Sequence, residues 1–375
     1  MTANRLVWTD ALRGVCAVAV VLFHVVLWHY ETFVAPSSVA SLWHAFNEAL
    51  GAVRMPVLLA ISGYLASRRI KLGWRSPLFF ERAGGSYYLY VVWMLVLAVF
   101  YALVANPTLP HYFSGATHVL RELVIPTTPL WFILALCLYT VILAALAKVD
   151  YRIVIAGLLV LAFVTRIVGS AGFSQAIKIP QNFVFFAVGV YCAAALQERV
   201  AQRSLKRTAL TTSALAIVVV VSTIDLTKSV FSVLDLVRGL VAVVVAFELA
   251  GLAAGAAPRA SSAVAVLGRR TLEIYVLHIP LLLGVIAVSD APAVANLLDE
   301  ISAHTLAMAV YPIVMTATIV FAAIVIRTIV EKVWLGWLFI PPVPYIRFLG
   351  RLHTRVMNVR AMRVQNRPTQ TPDID

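Results

Sequence analysis

The chain has 375 residues, 62% of them apolar, and a mean hydropathy of +0.92. A soluble domain sits near roughly 45–50% apolar, so that class is excluded. The formal net charge of +13 invites a nucleic-acid partner. However, the basic residues gather in alternate short connections between apolar stretches, the positive-inside pattern of a membrane protein, so no nucleic-acid partner is expected.

Spans of about 20 residues, the length a helix needs to cross a bilayer, are expected at 12–30, 50–67, 84–105, 129–147, 152–170, 181–197, 208–225, 233–255, 271–289 and 304–327. A transmembrane β-barrel would show short alternating segments instead. The expected fold class is therefore all-α, a polytopic membrane bundle of ten helices. The weakest spans are the fifth and sixth, where Arg166 and the Gln181-Asn182 pair interrupt the apolar runs. With the N-terminus in the cytoplasm, the cytoplasmic connections carry four groups of basic residues: Arg68, Arg69, Lys71, Arg75 and Arg82; Lys148 and Arg152; Arg199, Arg203, Lys206 and Arg207; and Arg259, Arg269 and Arg270. The opposite connections hold Arg121, Lys178 and Lys228. Both termini are then cytoplasmic. No cleavable signal peptide is expected, and Cys16, Cys137 and Cys192, unpaired in spacing, read as small apolar fillers. The expected organisation is a membrane-embedded domain over 1–340 and a basic cytoplasmic tail over 341–375. In that tail Ile346, Leu349, Leu352, Val356 and Val359 alternate with Arg347, Arg351, Arg355, Arg360 and Arg363. That pattern fits an amphipathic helix on the anionic lipids of the inner leaflet, followed by a disordered end from Arg367.

The chemistry begins in the first span. Arg13 and His24 stand eleven residues apart in Asp10-Ala-Leu-Arg-Gly followed by an apolar run. At about 100° and 1.5 Å per residue both point from one face, roughly 16 Å apart along the axis. An ionisable group inside a membrane helix costs on the order of 2.5–3.5 kcal/mol and is a functional-site candidate by default. A cation near one surface and an imidazole about halfway across suit a long anionic ligand. The competing structural roles are a snorkelling Arg13 paired with Asp10, and a His24 that only bonds a neighbouring helix. In Arg54-Met-Pro-Val-Leu-Leu-Ala-Ile-Ser62-Gly63-Tyr64, Pro56 and the Ser-Gly pair favour a kink and close packing, and no base near Ser62 supports a nucleophile. Trp131 opens the fourth span, where an aromatic belt accounts for it equally well. The ninth span carries Glu273, Tyr275 and His278, the first two expected near its inner end.

Taken in order, Arg13 and His24, Ser62-Gly63-Tyr64, Leu130-Trp131-Phe132, Phe185-Phe186-Ala-Val-Gly189 and Tyr275-Val-Leu-His278 resemble the acyltransferase-3 family of membrane O-acyltransferases, in its sugar O-acetylase-like branch, over roughly residues 10–340. The resemblance implies a ten-helix bundle in the bacterial inner membrane. It would move an acyl group, usually acetyl, from cytoplasmic acyl-CoA to a hydroxyl of an envelope glycan or glycolipid, with no metal. It makes Arg13 and His24 the essential pair. The family often carries two arginines three positions apart before its third span; here Arg82 stands with Gly85 in the partner position. Arg68 and Arg69, with Lys71 and Arg75, either complete the phosphate contacts or serve only as positive-inside charges, the latter being the commoner role of such residues.

On this reading Arg13 and Arg82 bind CoA phosphates, because guanidinium forms bidentate charge-assisted bonds to phosphate. His24 either deprotonates the acceptor hydroxyl or carries the acyl group covalently. Asp10 orients Arg13, and Trp131, Tyr275 and His278 line the cavity or hold acceptor. On physics alone a transporter or flippase of a polar lipid or solute fits a broken-helix bundle as well. A scaffold anchored through the basic tail is the third reading.

Overall fold

The computed structural model describes residues 7–73, 77–169, 175–224 and 227–365, so Arg75 and the terminal segment from Arg367 lie outside the described residues. The first apolar stretch forms α1 (Val7–His24), then a π-helical segment (Val25–Tyr30) and α2 (Glu31–Phe33) without interruption. Such a widened turn recurs at functional sites, and this one starts at the residue after His24. Then follow α3 (Ser38–Lys71), α4 (Pro77–Val104), α5 (Ala116–Glu122), α6 (Trp131–Ala145), α7 (Tyr151–Val168) and α8 (Lys178–Tyr191). The chain continues as α9 (Ala193–Gln202), α10 (Leu205–Val221), α11 (Lys228–Ala256), α12 (Pro258–Arg269), α13 (Thr271–Val288), α14 (Pro292–Ala303), α15 (Thr305–Lys332) and α16 (Val343–Gln365). No strand occurs among the described residues.

Every expected span corresponds to a helix, and the strictest length-and-apolarity criterion, applied to the described residues, is met by fewer than ten of them. Seven are long and apolar enough, or eight if α8 and α9, bent by 70° at their junction, count as one. The other two, α6 and α10, have 15 and 17 residues, at or just below the lower end of the length a span needs. The expected span at 181–197 is thus broken at Cys192 rather than straight. The connection expected at 31–49 is mostly helix, because α3 starts at its cap Ser37, whose hydroxyl accepts the Ala40 N–H at 3.1 Å.

Two helix contacts set the frame. α3 runs against α8, and a Cβ added at Gly63 would lie 2.1 Å from the Phe186 carbonyl oxygen, one at Gly189 1.9 Å from that of Ala60. Backbone meets backbone there, which is why Ser-Gly-Tyr on one helix is matched by Phe-Ala-Val-Gly on the other. Ser62 spends its hydroxyl on Leu58 O at 2.7 Å, as a packing residue does. α1 lies along α12 in the same manner: a Cβ at Gly14 would sit 2.8 Å from Gly268 N.

The polar interruptions pair with each other. Arg166 of α7 reaches Asp235 of α11 at 2.8 Å and Gln181 O at the start of α8 at 2.6 Å. Exposed apolar side chains such as Leu103, Ile217 and Phe321 face outward, the surface that lipid tails require. The tail is helical as α16, and its apolar face meets protein as well as any lipid: Leu349 is buried against Gly84, and Tyr345 donates to Gly84 O at 3.0 Å.

Candidate functional site

His24 sits at the C-terminal end of α1 and His278 one turn beyond Ile274 in α13, two helices that pack together. Their rings approach to 3.2 Å between His24 Nδ1 and His278 Nε2. His24 Nδ1 also lies 2.9 Å from Val20 O, and His278 Nδ1 lies 3.1 Å from Ile274 O. A carbonyl only accepts, so in the neutral rings each Nδ1 carries the proton. His278 Nε2 is then an acceptor and receives a share of the His24 Nδ1–H. What remains is the His24 Nε2 lone pair, which has no partner among the described residues. Trp28 (ring centroid at 4.6 Å) and Phe23 (4.9 Å) flank the His24 ring.

His24 lines a cavity of about 260 Å³ together with Trp28, Arg54, His111, Trp131, Lys178 and Tyr275. Tyr275, expected near the inner end of its helix, reaches across to donate its hydroxyl to Pro129 O. That bond fixes the corner from which Trp131 enters the cavity wall. His278 does not line the cavity and stands behind it, bonded to His24 and with its ring 5.8 Å from that of Tyr275. Glu273 is elsewhere, 3.5 Å from the buried Arg327.

Three lining groups were not among the sequence candidates. Arg54, in the 50–67 stretch, donates to Asn47 O at 3.0 Å and Asn47 Oδ1 at 3.1 Å, with its guanidinium 3.7 Å above the Phe23 ring. Lys178 opens α8. His111, in the connection after α4, has a left-handed backbone with φ 60° and lies against Trp28 at 5.4 Å. Burial, and next the Lys178 ammonium, hold the His111 imidazole down to about 4, so it is neutral at pH 7. An ionisable residue in the 50–67 stretch was a usable signal for Arg54. Nothing in the local pattern marks His111, whose place depends on the loop fold.

Arg13 and Asp10 are at the other end of α1 and do not line this cavity. The Arg13 guanidinium lies 4.0 Å from the Asp10 carboxylate. Near that end Arg69 and Arg82 line a second, more open cavity of about 330 Å³ with Glu81, Ser86 and Ile346 of α16. The charges of Arg69 and Arg13 both act on Arg82, so the three guanidiniums form one field. Arg68 is exposed and does not line this cavity.

Residues 6–327 match the acyltransferase-3 family, described as an acyltransferase domain. The chain belongs to that family. It is also similar to the inner membrane protein YcfT of Escherichia coli K12, with 24% identity over 367 residues, covering 89% of this chain and 96% of that one. No solved structure matches. Apolar helices and this relative together make the chain a multi-pass protein of the inner membrane.

Proposed function

We propose that the protein is an O-acyltransferase that carries an acyl group, acetyl in the first instance, from cytoplasmic acyl-CoA to a hydroxyl of an envelope glycan or glycolipid. The observation that carries this reading is the His24 Nε2 lone pair, held by the His278 contact in a residue that lines an aromatic-walled cavity. Such an imidazole is arranged to accept a proton. By the positive-inside argument the arginine field of Arg13, Arg69 and Arg82 faces the cytoplasm, where the CoA phosphates would bind. The His24 cavity then opens towards the other face, where an envelope acceptor arrives.

In the direct route His24 Nε2 takes the acceptor hydroxyl proton as the oxygen attacks the thioester carbonyl. The tetrahedral intermediate collapses, the C–S bond breaks, and the imidazolium returns the proton to the departing CoA sulfur. In the relay route His24 Nε2 itself attacks the thioester, the C–S bond breaks and CoA leaves as the thiolate; the acceptor hydroxyl then attacks the acyl-imidazolium, the N–acyl bond breaks, and the hydroxyl proton passes to the thiolate, leaving neutral His24. His278 Nε2, accepting from His24 Nδ1–H, steadies the positive charge on His24 in both. Tyr275 and Trp131 shape the wall against which the acceptor packs.

The test uses purified protein, radiolabelled acetyl-CoA and an envelope glycan extract, with free thiol and labelled glycan both measured. Equal release of CoA and labelling of glycan is expected, absent in His24→Ala. Undiminished transfer in a folded His24→Ala protein would overturn the mechanism. Glycan movement across vesicles without CoA release would assign the bundle to transport instead.

A further inference from the structure

The His24 cavity holds more positive charge than acyl transfer to a neutral sugar requires. Arg54 is 7% exposed and Lys178 is half-buried, and both line it. Among the described residues no aspartate or glutamate lines the cavity. The acid that acts on Arg54 is Glu48, which is exposed and outside the lining. Among the described residues neither cation has an ion pair, and the charge of Arg54 acts on Lys178. Two cations in a part-buried site without a counter-ion are costly, and the cost falls when an anion enters. Gln181 and Asn182 also line the cavity; their amides already donate to Thr165 O and Lys178 O, and each keeps one N–H for such a group.

The geometry points to an anionic acceptor: a sugar bearing a carboxylate or phosphate, whose charged group rests between Arg54 and Lys178 while its hydroxyl meets His24. The inference rests on the acyltransferase reading above. Arg54 lies 3.7 Å over Phe23, and the Phe23 ring centroid is 4.9 Å from that of His24. The anion subsite is therefore one aromatic ring removed from the base, a separation that a single sugar unit spans. Trp28 and Trp131, both in the cavity lining, provide apolar surface against which a sugar ring can pack. CoA phosphates are a poor alternative occupant, because the arginine field suited to them lies at the other end of α1.

The experiment compares glucuronate, glucose 1-phosphate and glucose as probes, by ligand-induced thermal shift and by acetylation from acetyl-CoA, in the wild-type protein, Arg54→Gln, Arg54→Lys and Lys178→Met. Both anionic probes, or one of them, should outperform glucose by roughly tenfold, the size of one charge-assisted contact. That preference should collapse towards unity in Arg54→Gln and Lys178→Met and return in Arg54→Lys. Preference for glucuronate alone assigns a sugar carboxylate, and for glucose 1-phosphate alone a phosphoryl group. CoA affinity, measured separately, reports whether each variant is folded. Glucose performing as well as both anions, or a preference that survives Arg54→Gln, overturns the anionic acceptor while leaving acyl transfer standing. Cation-dependent binding of the anions without CoA release overturns the acyltransferase reading and leaves the anion site standing.

Discussion

His24 and His278 lie 254 positions apart in the chain and 3.2 Å apart in space, joined Nδ1 to Nε2. Because Val20 O and Ile274 O fix both Nδ1 protons, His278 presents only a lone pair to its neighbour. On the proposed mechanism it orients His24 and stabilises the imidazolium, as a positioning residue. His278→Gln can still offer an acceptor oxygen and His278→Leu cannot. The expected order of acyl transfer is wild type, then Gln, then Leu, the last down by about tenfold to a hundredfold in kcat. A steady-state assay with KM measured alongside separates this from lost binding. Equal rates for Gln and Leu would refute the pairing.

The donor end permits a separate check. Arg82 and Arg69 line one cavity and Arg13 contributes to the same field. Removing Arg82 is expected to weaken CoA binding by roughly tenfold, as loss of one charge-assisted phosphate contact does. Arg69→Ala should have a similar or smaller effect, and Arg68→Ala, outside that cavity, little. Isothermal titration with CoA, independent of any acceptor, measures all three. Unchanged affinity in both Arg82→Ala and Arg69→Ala would place the phosphates elsewhere.

The helical fold was legible because apolar stretches of bilayer length report directly on their solvent. What escaped was geometry that length alone does not encode. The 70° break at Cys192 and the exact lengths of α6 and α10 left no mark in the apolar pattern, and α3 overran its apolar stretch because Ser37 caps it early. Within the site, His24, Trp131, Tyr275 and His278 stood out as polar or amphipathic groups in apolar runs, and they converge. Arg13, placed on the same helical stripe, lies towards the other end of α1 and does not line the His24 cavity. Arg54, Lys178 and His111 join the site from three separate segments, a convergence that only the tertiary fold can produce.

The α3–α8 crossing should be intolerant of any side chain. A methyl at Gly189 would stand 1.9 Å from Ala60 O, and at Gly63 2.1 Å from Phe186 O. Both obstacles are backbone, so the helices themselves must separate. Overpacking of this kind costs about 3 kcal/mol or more. Gly63→Ala and Gly189→Ala are each expected to lower the detergent unfolding temperature by several degrees, whereas Gly284→Ala, with nothing within 4 Å, should change it little. Thermal scanning of the three variants checks the crossing.

His111 gives the pH dependence. Burial and then Lys178 hold its imidazole down to about 4 in the folded protein, against about 6.5 in an unfolded chain. Between these values the unfolded state binds a proton that the folded state refuses. Stability therefore falls as pH drops below about 6.5, with the full penalty reached near 4, and the group contributes no loss above neutrality. With allowance for the partial exposure of this loop, the penalty at pH 5 is about 1 kcal/mol. His111→Gln removes the titrating group, so the gap between its unfolding temperature and that of the wild-type protein should shift in favour of the variant from pH 7.5 to pH 5. A gap that stays constant over that interval would show that His111 binds its proton equally well in both states.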